Sequence, residues 1–301
     1  SIFEFRHLFT IFPFDKSQFD TDNGSQTNRC LTAHSLNIIL GKWVTIGVSE
    51  AVVFTRQSGI PDFQYINPVS IYSVVNTNQE GVGNLMLAFQ WNIHPFIEDV
   101  SFRGQIVLDD FQVDNELITD KEPTHWGADV GLYWKNPFNI PLQHLLKLQY
   151  TYKSEWLYTV PDQNADAGER FIYQQKSLGS PSNNGDTCTL GFSIAGKDFW
   201  ALNGGISYSG KGIYSPLSRW KDSRRGDTIL PLDTAYTKQR LASVTIEPLF
   251  YFKNFANLRL LFSGNWIKNK DNLFSDKITF SPCFAAELTL HYSNFFLSLP
   301  K

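Results

Sequence analysis

The sequence predicts an all-β protein: an antiparallel transmembrane β-barrel with about twelve strands in this chain. Three observations predict it. Strand-length segments alternate apolar and polar residues at period two, the spacing that sends successive side chains to opposite faces of a sheet. The connections between these segments alternate strictly between short and long. Aromatic residues make up 15% of the 301 residues and charged residues only 18%, against roughly 25% charged in an average domain. Outer-membrane barrels combine all three: an apolar lipid face, a polar luminal face, aromatic girdles, short periplasmic turns and long extracellular loops. A soluble β-sandwich also alternates, but it has no reason to sort its loops by length. No run of about eighteen apolar residues occurs, so no transmembrane helix is expected.

Residues 2–12 are expected as the first strand, with Phe3, Phe5, Phe9 and Ile11 opposite Glu4, Arg6 and Thr10. Cys30 to Leu40 is the second, and Gly41-Lys42 reads as a two-residue hairpin turn with glycine first. Trp43 to Thr55 follows, with Val44, Ile46, Val48, Val52 and Phe54 on one face. Glu50 falls on that apolar face. Either a bulge corrects the register there, or Glu50 lies beyond the hydrocarbon and has a polar partner. Leu85, Leu87, Phe89 and Trp91 mark the fourth strand. In the fifth, Val100, Phe102, Gly104, Ile106 and Leu108 alternate with Ser101, Arg103, Gln105, Val107 and Asp109.

The clearest hairpin runs from Trp126 to Lys153. Trp126, Ala128, Val130, Leu132 and Trp134 share one face; Leu146, Leu148, Tyr150 and Tyr152 continue it after the Asn136–Pro141 turn. A lysine on the lipid face at midplane would cost roughly 2–4 kcal/mol, so the face carrying Lys147 and Lys153 should point into the lumen. Strands around Leu190–Ile194 and Trp200–Tyr208 flank Gly196-Lys197. The last three contain Ala242–Phe252, Leu258–Trp266 and Phe284–Tyr292. Short connections fall near residues 41, 95, 138, 197 and 254; long ones span 13–28, 56–83, 111–124, 160–186, 210–238 and 268–281. That sorting makes the Asn136–Pro141 turn periplasmic, with Trp134 at the inner aromatic girdle and Trp126 at the outer one.

The same faces assign candidate residues. Arg6, Arg103, Asp109, Lys147, Lys153, Arg259 and Glu287 are expected to line the lumen, with Asp109 in a luminal ion pair. Asp109 and Asp110 are strand neighbours that point to opposite faces, so they cannot act as paired carboxylates. The 210–238 loop offers Tyr214, Arg219, Trp220, Arg224, Arg225 and Tyr236 as ligand-binding candidates, because planar aromatics beside arginines suit sugars and acidic polysaccharide groups. His291 and Ser293 share a face, but Asn294, their nearest orienting group, faces the other way, which speaks against a barrel phospholipase. The histidines show no metal-ligand spacing. Cys30, Cys188 and Cys283 cannot all pair and form no metal motif. No metal and no cofactor is expected, and a net charge of −3 excludes a nucleic-acid footprint.

The run from His34 to Phe111 carries a resemblance. Ala33-His34-Ser35-Leu36 is followed by Ile46-Gly47-Val48-Ser49-Glu50-Ala51-Val52, then Tyr65-Ile66-Asn67-Pro68, Asn84-Leu85 and Leu108-Asp109-Asp110-Phe111. In this order and spacing these pieces resemble the Wzi-like capsule-assembly family of outer-membrane β-barrel proteins. The resemblance implies a bacterial outer-membrane, non-enzymatic barrel that binds or organises cell-surface polysaccharide. It also implies about eighteen strands and a longer N-terminal part. Residues 1–301 are therefore read as a single barrel domain that either lacks that part or belongs to a smaller relative. The expected partners are outer-membrane lipids and lipopolysaccharide, extracellular polysaccharide, and other outer-membrane proteins. Two further readings stay open: a structural or accessory subunit of an export or uptake complex, and a passive diffusion pore. A pore predicts an open lumen, and the 56–83 segment folded inside it would exclude one.

Overall fold

The computed structural model describes residues 2–12, 28–56, 62–78, 83–95, 99–110, 125–159, 171–173, 176–179, 184–196, 199–212, 239–252, 256–273 and 277–290. Twelve long strands form one antiparallel sheet. In chain order they are β1 (Phe3–Phe12), β2 (Asn28–Leu40), β3 (Val44–Arg56), β4 (Gly83–Ile93), β5 (Val100–Asp110), β6 (His125–Lys135), β7 (Gln143–Lys153), β10 (Gly185–Ala195), β11 (Trp200–Lys211), β12 (Gln239–Phe252), β13 (Ala256–Lys268) and β14 (Ile278–Leu290). A two-residue ribbon, β8 (Ile172–Tyr173) with β9 (Lys176–Ser177), interrupts the sequence between β7 and β10. Two short helices, α1 (Phe63–Ile66) and α2 (Tyr72–Asn78), lie between β3 and β4. Each strand pairs with its neighbours in sequence, the ribbon aside, as an up-and-down barrel wall requires.

Register makes the two faces explicit. One row crosses the wall through Glu4, Asn37, Gly47, Gln90, Gln105, Asp129, Thr151, Thr187 and Ser209. All are polar or glycine, and they face the lumen. Gly47 is required in this row: a Cβ there would lie 2.0 Å from Asn37 Oδ1. Its absence lets Gln90 Nε2 donate to Asn37 Oδ1 at 2.8 Å across β3. The adjacent row on the opposite face runs Phe5, Leu36, Val48, Phe89 and Ile106, all exposed large apolar side chains. Leu148, Leu190, Ile206 and Val244 continue this kind of face further round. An apolar row of such width is stable only against lipid.

The chain thus forms a wall of outer-membrane type, with short turns at one end and long connections at the other. The turn after β2 has three residues, Gly41 to Trp43, rather than the expected two, with Leu40 paired to Val44 and Gly41 at φ 61°. After β6, Asn136 takes φ 49° and His144 closes the turn. The backbone N–H of Phe138 donates to His144 Nε2 at 2.9 Å, while His144 Nδ1 lies 2.8 Å from Leu142 O. These partners fit a neutral ring protonated on Nδ1, so this rim histidine is a turn fastener.

No bulge rescues Glu50. The β2–β3 and β3–β4 registers run through it without a shift, and Glu50 is buried on the outward face with polar partners. It shares a register row with His7, His34, Leu87, Leu108 and Trp126. His34 Nε2 lies 3.1 Å from its carboxylate. The backbone N–H of Tyr72 donates to the same oxygen, Oε2, at 2.8 Å, and Ser73 Oγ donates to Oε1 at 2.7 Å.

At this long-loop end the wall is covered on both sides. Val52, Val53 and Phe54 are all 0% exposed, although successive strand residues point opposite ways. Outside, Tyr65 and Tyr72 of the helical hairpin pack on Cys30, Val52 and Phe54, with Phe9, Val75 and Leu85 around them. Inside, Leu157, Tyr158 and Phe171 pack on Val53 and Val107, with Leu31, Ala51, Met86, Ala88 and Leu178 around them. The 56–83 connection therefore lies, as far as it is described, on the outer face and not in the lumen.

Candidate functional site

The luminal face holds the chemistry. Near the long-loop end, β5 shifts register between Leu108 and Asp110. The extra residue, Asp109, is buried and accepts the backbone N–H of Tyr158 at 2.5 Å. Tyr158 has φ 72°, a conformation that side-chain-bearing residues adopt only under outside constraint. Asp109 supplies that constraint, with help from a turn in which Thr159 Oγ1 donates to Trp156 O. Ser154 ties the start of the segment to Trp126 through both its backbone N–H and its hydroxyl. Burial, then the Asp109 carboxylate, pushes the Tyr158 phenol up to about 12. Folded Tyr158 thus holds its proton more tightly than an unfolded tyrosine near 10. The stability it contributes is full below about pH 10 and is lost as pH rises from about 10 to about 12. In a tyrosinate absorbance titration, the wild type should show one more group titrating near 12 than Tyr158→Phe does.

Replacing Asp109 by alanine leaves a buried N–H unpaired, a loss of about 1.5–3 kcal/mol for a bond to a charged acceptor. The expected result is amide exchange at residues 155–159 at least tenfold faster, with β6 and β7 still protected. Unchanged exchange would show that apolar packing alone holds the segment.

Beneath this segment is a cavity of about 230 Å³ lined by Gln105, Asp129, Thr151, Lys153, Leu157 and Tyr158. Asp129 accepts from Gln149 Nε2 at 2.8 Å and Thr151 Oγ1 at 2.6 Å. A larger hollow of about 580 Å³ lies on the luminal face of β6 to β12. Its floor includes the paired glycines Gly191 and Gly205, and its sides carry Tyr133, Lys147, Thr189, Ser193, Asn203 and Glu247. Glu247 is fixed from two directions: Asn203 Nδ2 donates to it at 3.2 Å and Arg259 Nη2 at 2.7 Å. Arg259 also reaches Glu287 at 3.4 Å. The hollow therefore presents hydroxyls, an amide, a carboxylate, an ammonium and one aromatic face.

The candidates from sequence distribute as follows. Arg6 lies on the luminal face against Glu4 at 2.6 Å. Arg103 lies over the Tyr133 ring, 5.0 Å from its centroid. Asp109 lies six residues along β5 from Arg103, about 20 Å at strand rise, and grips the Tyr158 backbone; the two do not form the anticipated ion pair. Lys147 lines the larger hollow and Lys153 the smaller, while Arg259 and Glu287 pair beside the larger. Trp126 and Trp134 face outward from opposite ends of β6, with Trp126 4.6 Å from the Tyr152 ring. Tyr214, Arg219, Trp220, Arg224, Arg225 and Tyr236 lie outside the described residues, as do His291 and Ser293. Among the described residues no cluster of His, Cys, Asp or Glu could hold a metal ion. Tyr133, Asn203 and Glu247 were not singled out by sequence. Their shared luminal parity was readable, but their meeting across β6 to β12 depends on register.

No protein-family model matches the sequence, and no curated protein matches it. Among solved structures the chain is similar to Wzi of Escherichia coli, described as an outer membrane protein involved in group 1 capsule assembly and as a carbohydrate-binding β-barrel. The TM-score is 0.59 at 10% sequence identity, over 95% of this chain and 56% of that one. A second similar structure is the CymD monoaromatic hydrocarbon channel, at TM-score 0.37 and 10% identity, over 88% of this chain and 74% of that one. The fold is that of an outer-membrane β-barrel resembling Wzi, and the chain spans a little over half of Wzi's length.

Proposed function

We propose that this chain is a non-enzymatic outer-membrane β-barrel that binds cell-surface polysaccharide. The observation that carries this reading is the luminal hollow of about 580 Å³. Its size suits one or two sugar rings, within the roughly 300–1,000 Å³ of small-ligand sites. Its lining of Ser, Thr, Asn and a braced carboxylate matches a dense array of sugar hydroxyls, and Tyr133 offers a ring face. The likeness in fold to a barrel described as carbohydrate-binding supports the same reading. Arg219, Trp220, Arg224 and Arg225 of the 210–238 loop remain ligand-binding candidates from the sequence.

The test is calorimetric titration of the purified barrel with oligosaccharides released from the surface polysaccharide. Glu247→Gln and Asn203→Ala should each weaken binding about tenfold, the equivalent of one hydrogen bond to a charged group. Unchanged affinity in both would remove the hollow from the site. Loss of binding in Arg224→Ala/Arg225→Ala alone would move the site to the external loop.

A further inference from the structure

We infer that the α1–α2 hairpin is seated in the membrane, with its outer apolar face against the acyl chains of the outer leaflet. Its position requires the lipid side of the wall. Tyr65, Tyr72 and Val75 pack on Cys30, Val52, Phe54 and Leu85, the outward parity of Leu36, Val48 and Phe89 in the same strands. The side of the hairpin turned away from the wall carries large apolar side chains, with uncharged Gln64, Asn67, Thr77 and Asn78 exposed beside them. Phe63 is 78% exposed, Val69 84%, Ile71 60% and Val74 53%. Four large apolar side chains on an external loop in water would form an unfavourable exposed patch. Here the hairpin that bears them packs on strands whose outward side chains Leu36, Val48 and Phe89 are themselves exposed and apolar.

Charge selects the occupant. Residues 63–78 contain no Asp, Glu, Lys, Arg or His, and the nearest flanking charges, Asp62 and Glu80, are acidic. A hairpin reading lipid phosphates would carry basic residues; this one suits hydrocarbon. Backbone polar groups at that depth must be satisfied internally. The hairpin does this with its own turns, Asn67 N–H to Phe63 O at 3.0 Å and Val75 N–H to Ile71 O at 3.1 Å, and with the Glu50 carboxylate under Tyr72 and Ser73. Tyr72 closes the polar group on its other side: its hydroxyl lies 2.8 Å from Thr32 Oγ1, and its ring 4.3 Å from the His34 ring. The hairpin thus covers an outward-facing carboxylate and histidine with an apolar cap. It is an in-plane, outer-leaflet element built from a loop.

Site-directed spin labelling of the intact chain in phosphatidylcholine–phosphatidylglycerol vesicles tests this. Cys188 and Cys283 are replaced by alanine, buried Cys30 is kept, and single cysteines are placed at Val69, Ile71 and Val74. Leu148→Cys is the lipid-facing reference and Ser193→Cys the luminal one. The inference expects labels at Ile71 and Val74 to collide with dissolved oxygen in preference to a water-soluble nickel chelate, as at Leu148. Preference for the chelate, as at Ser193, would put the hairpin in water and overturn it. Low accessibility to both reagents would put a protein partner or a second copy on this face, and would overturn it equally.

Discussion

Glu50→Ala is expected to lower stability in lipid vesicles by about 3–5 kcal/mol, because it leaves several buried donors unpaired at roughly 1–3 kcal/mol each. The carboxylate is an acceptor for His34, for two backbone N–H groups at the start of α2 and for the Ser73 hydroxyl. Removing it strands all of these donors on the outward face, where no water replaces it. Guanidinium unfolding from vesicles measures the loss, and amide exchange locates it: α2 should lose protection while β10 to β12 keep theirs. The double variant Glu50→Leu/His34→Leu should recover part of the loss, because deleting both polar partners is far less damaging than deleting one. Wild-type protection of α2 in Glu50→Ala would show that Tyr65 and Tyr72 alone hold the hairpin.

A pair of neighbouring substitutions in β7 gives the second large effect. Leu148 faces outward in the row with Leu190 and Ile206; Lys147 faces the luminal hollow. Leu148→Lys places an ammonium in hydrocarbon and should cost about 2–4 kcal/mol. Lys147→Leu removes a solvated charge and should change stability by less than about 0.5 kcal/mol, as surface substitutions do. Unfolding of both variants from the same vesicles decides it. Equal effects would mean that the two faces of the wall are not lipid and water.

The faces were legible in the sequence because a one-residue error in register inverts them. Phe5, Leu36, Val48, Phe89, Leu148 and Ile206 all fall where alternation places them, and the sorted loop lengths give the direction. Glu50 was legible as a misfit, and of the two explanations open to it the polar partner is the one present. Its partners were not legible. Tyr72 and Ser73 sit in a connection with no period, and only tertiary packing brings them to β3. Two signals pointed that way. One is the apolar run Ala51-Val52-Val53-Phe54, where alternation stops as it does in strands buried on both faces. The other is the charge-free stretch 63–78, unusual for an external loop. Asp109 was assigned to the luminal face, but its hold on Tyr158 was not legible, since a bulge turns it toward a backbone N–H on a segment 49 residues away. The luminal hollow was illegible because Tyr133, Asn203 and Glu247 belong to three strands whose relative offsets no local pattern encodes.

The double covering of Val52, Val53 and Phe54 has a consequence for the order of assembly. The outer cover is local: α1 and α2 lie between β3 and β4 and dock on the two strands that flank them and on β2. They can close as soon as β4 has paired. The inner cover comes from Leu157, Tyr158, Phe171 and Leu178 and rests on β2 to β5, about 50 to 150 residues earlier in the chain. It must wait until β6 and β7 have extended the wall and curved it back. Contacts of long sequence separation form late, so this end of the wall is completed from the lipid side first and from the lumen last.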